Sequence, residues 1–262
     1  MDIQGLKDDK RYNSWHEYEP LDAQYVRYTI SDPSVLAAGH KINDVYHIFC
    51  DARAALLSAN YKNYGDLCAN NEISRLWIRT TFLKEALMDY AICLDISWQV
   101  IWAFIQPSSF EYLVQKNYKE MEKFCTSENV HKQLNCAIAQ KTQQAELIKE
   151  LLTNFENDTV VMKVRNTYNS IKHHGMLYFN GFCKENIGNF YYAPEVEMPL
   201  QRRSYDPDEI QKLLLLYHEK FERYFEKLID IIMPKEYKNN QVEVVDYFSV
   251  VNEIKRIQNR KE

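Results

Sequence analysis

An all-α fold, built as an antiparallel bundle of long helices with a non-helical insert near residues 176–205, is predicted by three features of this chain. Only 6 glycines and 7 prolines occur in 262 residues, which favours long elements with few breaks over many short strands. Apolar residues recur every three or four positions over stretches much longer than a strand. Helix starts precede several of those stretches, as in Ser31-Asp32-Pro33 and Asp206-Pro207-Asp208-Glu209. In both, an aspartate stands ready to cap and a proline occupies the first turn, where its missing N–H is not needed.

Residues 1–30 are charged and aromatic without a clear period, and Trp15, Tyr18, Tyr25 and Tyr28 read as an N-terminal arm laid over the core. The first bundle helix follows Asp32, with Leu36, Ile42, Val45, Phe49, Ala52 and Leu56 on one face. Gly65 and Asn70-Asn71 interrupt the chain before residues 72–105, where Leu83, Leu87, Tyr90, Leu94, Trp98 and Ile101 form a seam of roughly heptad period. A helix of that length spans about 50 Å. Pro107 stops it, and Ser108 or Ser109 starts a third helix that ends near Cys125. A fourth is expected over residues 128–155, with Ile138, Leu147, Leu151 and Leu152 buried. Asn157 or Asp158 starts a fifth, which ends at Gly175.

Residues 176–205 break the helical pattern. Leu177-Tyr178-Phe179 and Phe190-Tyr191-Tyr192 flank a segment containing Gly181 and Gly188, which permits a short hairpin, and Pro194, Pro199 and the basic pair Arg202-Arg203 follow. A connection this long tends to be functional or to dock on a protein partner. The seam resumes through Leu213, Leu214, Tyr217, Phe221, Tyr224 and Phe225, and residues 242–258 read as a last short helix or a strand-to-helix segment. Without internal repeats or low-complexity linkers, residues 1–262 read as a single α-helical domain: bundle helices over 31–175, the insert, and C-terminal helices over 206–262.

The formal net charge is −5 and the pI about 5.9, so the surface as a whole does not attract nucleic acid and any such contact must be local. Six scattered cysteines without a C-x-x-C pair, and an N-terminus without an apolar signal region, predict a cytoplasmic protein with reduced, mostly buried thiols. The most apolar run, residues 90–105, contains Asp95 and Gln99 and is too short to cross a bilayer, so no membrane segment is expected. There is no glycine-rich phosphate loop and no spacing that names a Ser-His-Asp set, and no cofactor is expected.

Incomplete metal patterns are present. Glu128-x-x-His131 is half of a di-iron motif, His40 and His47 offer two ligands two turns apart, and His218-Glu219 lacks a second histidine. Glu85 and Asp89 lie one turn apart, as magnesium-binding carboxylates of a helical nucleotide hydrolase do, although solvation or pairing with Lys84 explains them more simply. No metal site is predicted from these.

Polar residues able to do chemistry gather at regular spacing in residues 160–175, VVMKVRNTYNSIKHHG. Val161, Val164, Tyr168 and Ile171 make an apolar face, and beside it Arg165, Asn169 and Lys172 form a stripe, with Asn166 and His173 on its margin. The run R-N-x-x-N-x-I-K-H-H-G at the end of a long helix, followed by an excursion and another long helix, resembles the HEPN superfamily of α-helical bundles. Many of its members are metal-independent RNases of toxin–antitoxin and antiviral systems. The family motif is an Arg, four to six residues and a His; here seven residues separate Arg165 from His173, and Tyr168 stands where the arginine falls when N-x-x-K-H is aligned. A guanidinium reaching across one helical turn, or a copy from a partner subunit, would restore the pair.

The resemblance implies RNA as partner and a homodimer with a composite site. His173 would act as general base toward an RNA 2′-hydroxyl, Arg165 and Lys172 would neutralise phosphate charge, and Asn169 would orient the imidazole. Lys163, Lys172, His174, Arg202 and Arg203 would add a local basic, nucleic-acid-binding patch. A helix end rich in Lys and His is also what the macrodipole favours, so a non-catalytic protein-interaction or nucleotide-binding module, docking through the 176–205 insert, is the alternative.

Overall fold

The apolar period favours helix along most of the chain, and the computed structural model, which describes residues 1–105, 115–139, 143–182 and 204–259, is all-α among them. The helices are α1 (Ile3–Asp8), α2 (Asp22–Tyr28), α3 (Pro33–Ser58), α4 (Glu72–Ile105), α5 (Gln115–Glu122), α6 (Ser127–Ala139), α7 (Gln143–Glu156), α8 (Thr159–His174), α9 (Pro207–Ile232) and α10 (Val244–Asn259). Two two-residue strands, β1 (Tyr178–Phe179) and β2 (Ser204–Tyr205), complete the set. The chain forms two compact units, and α3, α4 and α9 contribute residues to both.

One unit comprises Met1–Asp9, Phe49–Ala91 and Asp158–Glu219. Leu56, Leu83, Leu87, Val164 and Leu214 are all fully buried in it. Arg53 closes the end of α1, donating to the Leu6 carbonyl at 3.0 and 2.8 Å and to the Lys7 carbonyl at 2.9 Å. Those carbonyls have no partner within so short a helix, and a cation is favoured there. Asp206 caps α9 by accepting from the Asp208 and Glu209 amides at 2.7 and 3.2 Å. Arg79 of α4 then holds the first turns of α9 through Asp208 at 2.5 Å and Gln211 at 2.9 Å.

The pairing of β1 differs from the expected hairpin. Tyr178 and Phe179 lie parallel to Ser204 and Tyr205, and residues 190–192 lie outside the described residues. A parallel pair needs a crossover of a dozen or more residues, which the length of the insert supplies.

The other unit comprises Lys10–Ile48, Ile92–Asn157 and Lys220–Glu262. Residues 11–28 are a 3-10 helix followed by α2, packed by their aromatic rings. Trp15 is 1% exposed and meets Phe225 edge-on at 4.8 Å, while Tyr237 stacks between Tyr18 and Tyr28 at 5.8 and 5.6 Å. Arg27 donates to the carbonyls of Glu236, Asn239 and Gln241, and Gln24 to that of Tyr237 at 2.7 Å. Each backbone carbonyl so answered belongs to the segment between α9 and α10, where no helix supplies partners.

The helix expected over residues 128–155 is two helices, α6 and α7, packed on each other. Ala145, Ile148, Leu152 and Phe155 form the buried face of α7. In that phase Leu147 falls outside and is 45% exposed, and Ile138 is only half-buried. The thiols also differ from expectation: of the cysteines described, Cys93 alone is buried and Cys136 is exposed, and all are free. Burial pushes the Cys125 thiol up to about 12, so it stays protonated at neutral pH. Among the described residues, α4 is long and apolar enough to cross a membrane by length and composition. However, 56% of its most apolar window is buried inside the protein, as in a core helix.

Gly39 shows how tightly the second unit closes. A Cβ there would stand 2.6 Å from the Tyr18 carbonyl oxygen and collide with the Tyr237 hydroxyl, which itself donates to that carbonyl at 3.0 Å. Alanine in a helix interior is ordinarily favoured over glycine by about 0.5–1 kcal/mol. Overpacking costs about 1–3 kcal/mol, so the clash decides the sign. Gly39→Ala is expected to lower the thermal midpoint, measured by circular dichroism; a rise would show that Tyr237 has room to move.

Candidate functional site

Local chemistry fixes α8 at both ends. Asp158 lies in extended backbone and its carboxylate accepts from the amides of Val160 and Val161 at 2.8 and 3.4 Å, answering donors that a helix start leaves open. Gly175, at φ +108°, ends the helix in a conformation that side-chain-bearing residues rarely adopt. Val161, Val164 and Thr167 face inward, and the Thr167 hydroxyl is satisfied one turn back by the Lys163 carbonyl at 2.8 Å. Tyr168 and Ile171, on the margin of that face, are half-buried.

The opposite face carries the candidate residues. Lys163, Asn166, Asn169, Lys172 and His173 are exposed, Arg165 is half-buried, and His174 is the last residue of the helix. Arg202 and Arg203 lie outside the described residues. Asn169 stands one turn from Arg165 and one turn from His173, a rise of about 6 Å in each direction. Arg165 and His173 therefore stand about 12 Å apart along the axis and about 80° around it. Because Cβ atoms tilt toward the helix N-terminus, the Arg165 side chain leans away from His173, and two turns rather than one separate them. Such an arrangement holds an imidazole, an amide and an ammonium group together at one end, with a guanidinium two turns back.

Other titratable groups pair over sequence distances that spacing does not reveal. In the first unit the fully buried His218 has its Nδ1 2.8 Å from the Tyr90 hydroxyl and its Nε2 3.6 Å from Asp9, and stacks on Phe49 at 4.5 Å. The adjacent Glu219 pairs with the Met1 amine. In the second unit Glu156 accepts from Trp98 Nε1 at 3.0 Å and lies 2.7 Å from His131 Nε2. That gives the histidine of the E-x-x-H run a carboxylate from α7. His40 bridges Glu19 at 2.9 Å and Tyr25 at 2.7 Å. Glu222, also fully buried, pairs with Arg11. Apart from Glu219, none of these carboxylates follows from a motif, because partners such as Tyr90 and His218 are 128 residues apart.

No family model, curated protein or solved structure matches this chain.

The pair on α4 behaves as like charges. Partial burial, with Glu85 and Asp51 adding repulsion, pushes the Asp89 carboxyl up to about 6 from an ordinary value near 3.8. The folded state then holds this proton more tightly than the unfolded chain does, so stability falls as pH rises from about 4 through about 6. Asp89→Asn is expected to raise the thermal midpoint at pH 7.5 and to match the parent below pH 4. Equal midpoints at pH 7.5 would mean that water or a cation already relieves the repulsion.

Proposed function

We propose that the C-terminal half of α8 is a phosphodiester site of HEPN type, at which a homodimer of this protein cleaves or binds single-stranded RNA without a metal. The observation that carries this reading is the exposure of Asn169, Lys172 and His173 on one face of a single helix end. An imidazole nitrogen can accept the proton of a ribose 2′-hydroxyl and so suits a general base. The 2′-oxygen then attacks the adjacent phosphorus and the 5′-oxygen departs, taking a proton from the imidazolium or from water. The products are a 2′,3′-cyclic phosphate and a 5′-hydroxyl.

Lys172 balances charge on the non-bridging oxygens, and Asn169 hydrogen-bonds and orients His173 across one turn. Arg165 lies about 12 Å away along the same helix, so the guanidinium that completes the site comes from the second copy. Two copies of Lys163, Arg165 and Lys172 then make a basic cleft on a chain whose net charge is −5.

A second reading, a non-catalytic protein-interaction module, is favoured by α10, where Val244, Val245 and Phe248 are 71%, 70% and 61% exposed.

The test is incubation of the purified protein with mixed single-stranded RNA in EDTA, assayed for cyclic-phosphate ends. His173→Ala is expected to slow cleavage at least about 100-fold, the size of a general-base contribution, with an unchanged helical circular-dichroism signal. Undiminished cleavage by the variant removes His173 from the mechanism. No cleavage by either protein moves the reading to the interaction module.

A further inference from the structure

We propose that the N-terminal half of α4 carries a second nucleic-acid subsite, a pocket of tyrosine and arginine side chains that takes one base and one phosphate of single-stranded RNA; this rests on the RNA reading of α8. Tyr61, Tyr64, Glu72, Arg75, Leu76 and Arg79, all within the first unit, line a cavity of about 280 Å³. That volume is just below the range of about 300–1,000 Å³ that small-molecule pockets occupy.

The pocket has a fixed wall and an open one. Tyr64 is buried, stacked on Phe82 at 6.1 Å, and donates its hydroxyl to the Ser58 carbonyl at 3.0 Å. Tyr61 meets Tyr64 edge-on at 6.5 Å and is 64% exposed, so its ring face is presented to solvent. An exposed ring backed by a rigid one is the arrangement on which an unpaired base stacks. Arg75 and Arg79 follow one turn apart on the same face of α4. Asp208 and Gln211 hold Nη2 of Arg79, which positions that guanidinium and partly neutralises it. Arg75 is exposed, with its Nε 3.4 Å from the Asn71 carbonyl, and is the cation best placed to take a phosphate in a two-pronged contact. Glu72 disfavours a second phosphate and offers an acceptor to the exocyclic amine of a base.

The chain leaving α8 runs onto this same stretch of α4. Gly181 has φ +94°, a conformation that favours glycine, and a Cβ there would stand 2.8 Å from Leu76 Cδ2, so the backbone passes close over α4. Phe182 then packs edge-on against Trp77 at 5.5 Å. Gly181 lies eight positions beyond His173, which limits their separation to about 29 Å. That limit is within the reach of one short RNA strand.

The test uses the full chain carrying His173→Ala, so that RNA is bound without turnover, and a fluorescein-labelled single-stranded RNA in EDTA, read by anisotropy. Adding Tyr61→Ala is expected to weaken binding about tenfold. Adding Arg75→Gln is expected to weaken binding and to reduce the slope of log affinity against log salt by about 0.7, one phosphate contact on a single strand. Both residues are exposed, and an unchanged thermal midpoint excludes misfolding. Parent-like binding by both variants, or no RNA binding by the parent, overturns the subsite. So does binding of AMP without RNA, which would assign the pocket to free nucleotides. Cleavage by the wild type with binding untouched in the Tyr61 and Arg75 variants removes only the subsite. Binding lost in those variants with no cleavage by the wild type removes only the nuclease.

Discussion

The angle at which α8 is turned about its own axis is the constraint on which the rest of the site depends. Val161 and Val164 are 1% and 0% exposed, and turning the helix by one residue would bring both toward water. Uncovering a buried valine costs about 1.5–3 kcal/mol, and the same turn would carry Arg165 inward, where an unanswered charge costs more still. Asp158 and Gly175 fix where that helix begins and stops. Apolar burial on one face thus dictates which polar groups stand on the other, and with it the chemistry that α8 presents.

Several ionisable groups elsewhere lie inside the two units. His218 and Glu222 are fully buried and committed to neighbours, Tyr90 and Asp9 for the one and Arg11 for the other. Breaking such a pair leaves an uncompensated group in low dielectric, which makes these residues structural anchors of their units. His131 and His40 sit closer to the surface, yet each is held by a glutamate. On α8 the imidazole, amide and ammonium groups share a surface with water, which is where a polymeric substrate can reach them.

The sequence carried the long helices well. Residues 72–105 coincide with α4 at both ends because Glu72 follows an Asn pair and Pro107 stands two positions after Ile105, and nothing between them breaks the period. Asp158 and Gly175 marked α8 equally clearly, since capping and positive φ are local. What failed to show was non-local. The polar stretch from Gln140 to Gln144 carries no apolar phase, so α6 and α7 read as one helix. The strand beside Tyr178 comes from beyond a crossover, and a hairpin pattern nearer in sequence masked it. In residues 1–30 short helices are specified by aromatic rings meeting Phe221, Phe225 and Tyr237, more than 190 residues downstream, so no period announced them. The α4 pocket was invisible for the same reason: Tyr61 lies in the loop after α3, and Arg75 on α4 beyond it.

The central claim, that the exposed end of α8 receives an RNA phosphodiester, is tested most directly by NMR of the histidine side chains. The protein would be titrated in EDTA with a 2′-O-methyl RNA that cannot be cleaved, with His173 and His174 resonances assigned from His173→Ala and His174→Ala. The account predicts progressive shifts of the His173 imidazole while His40, His131 and His218 stay in place. An unmoved His173 under saturating RNA, or shifts confined to the other histidines, would contradict it.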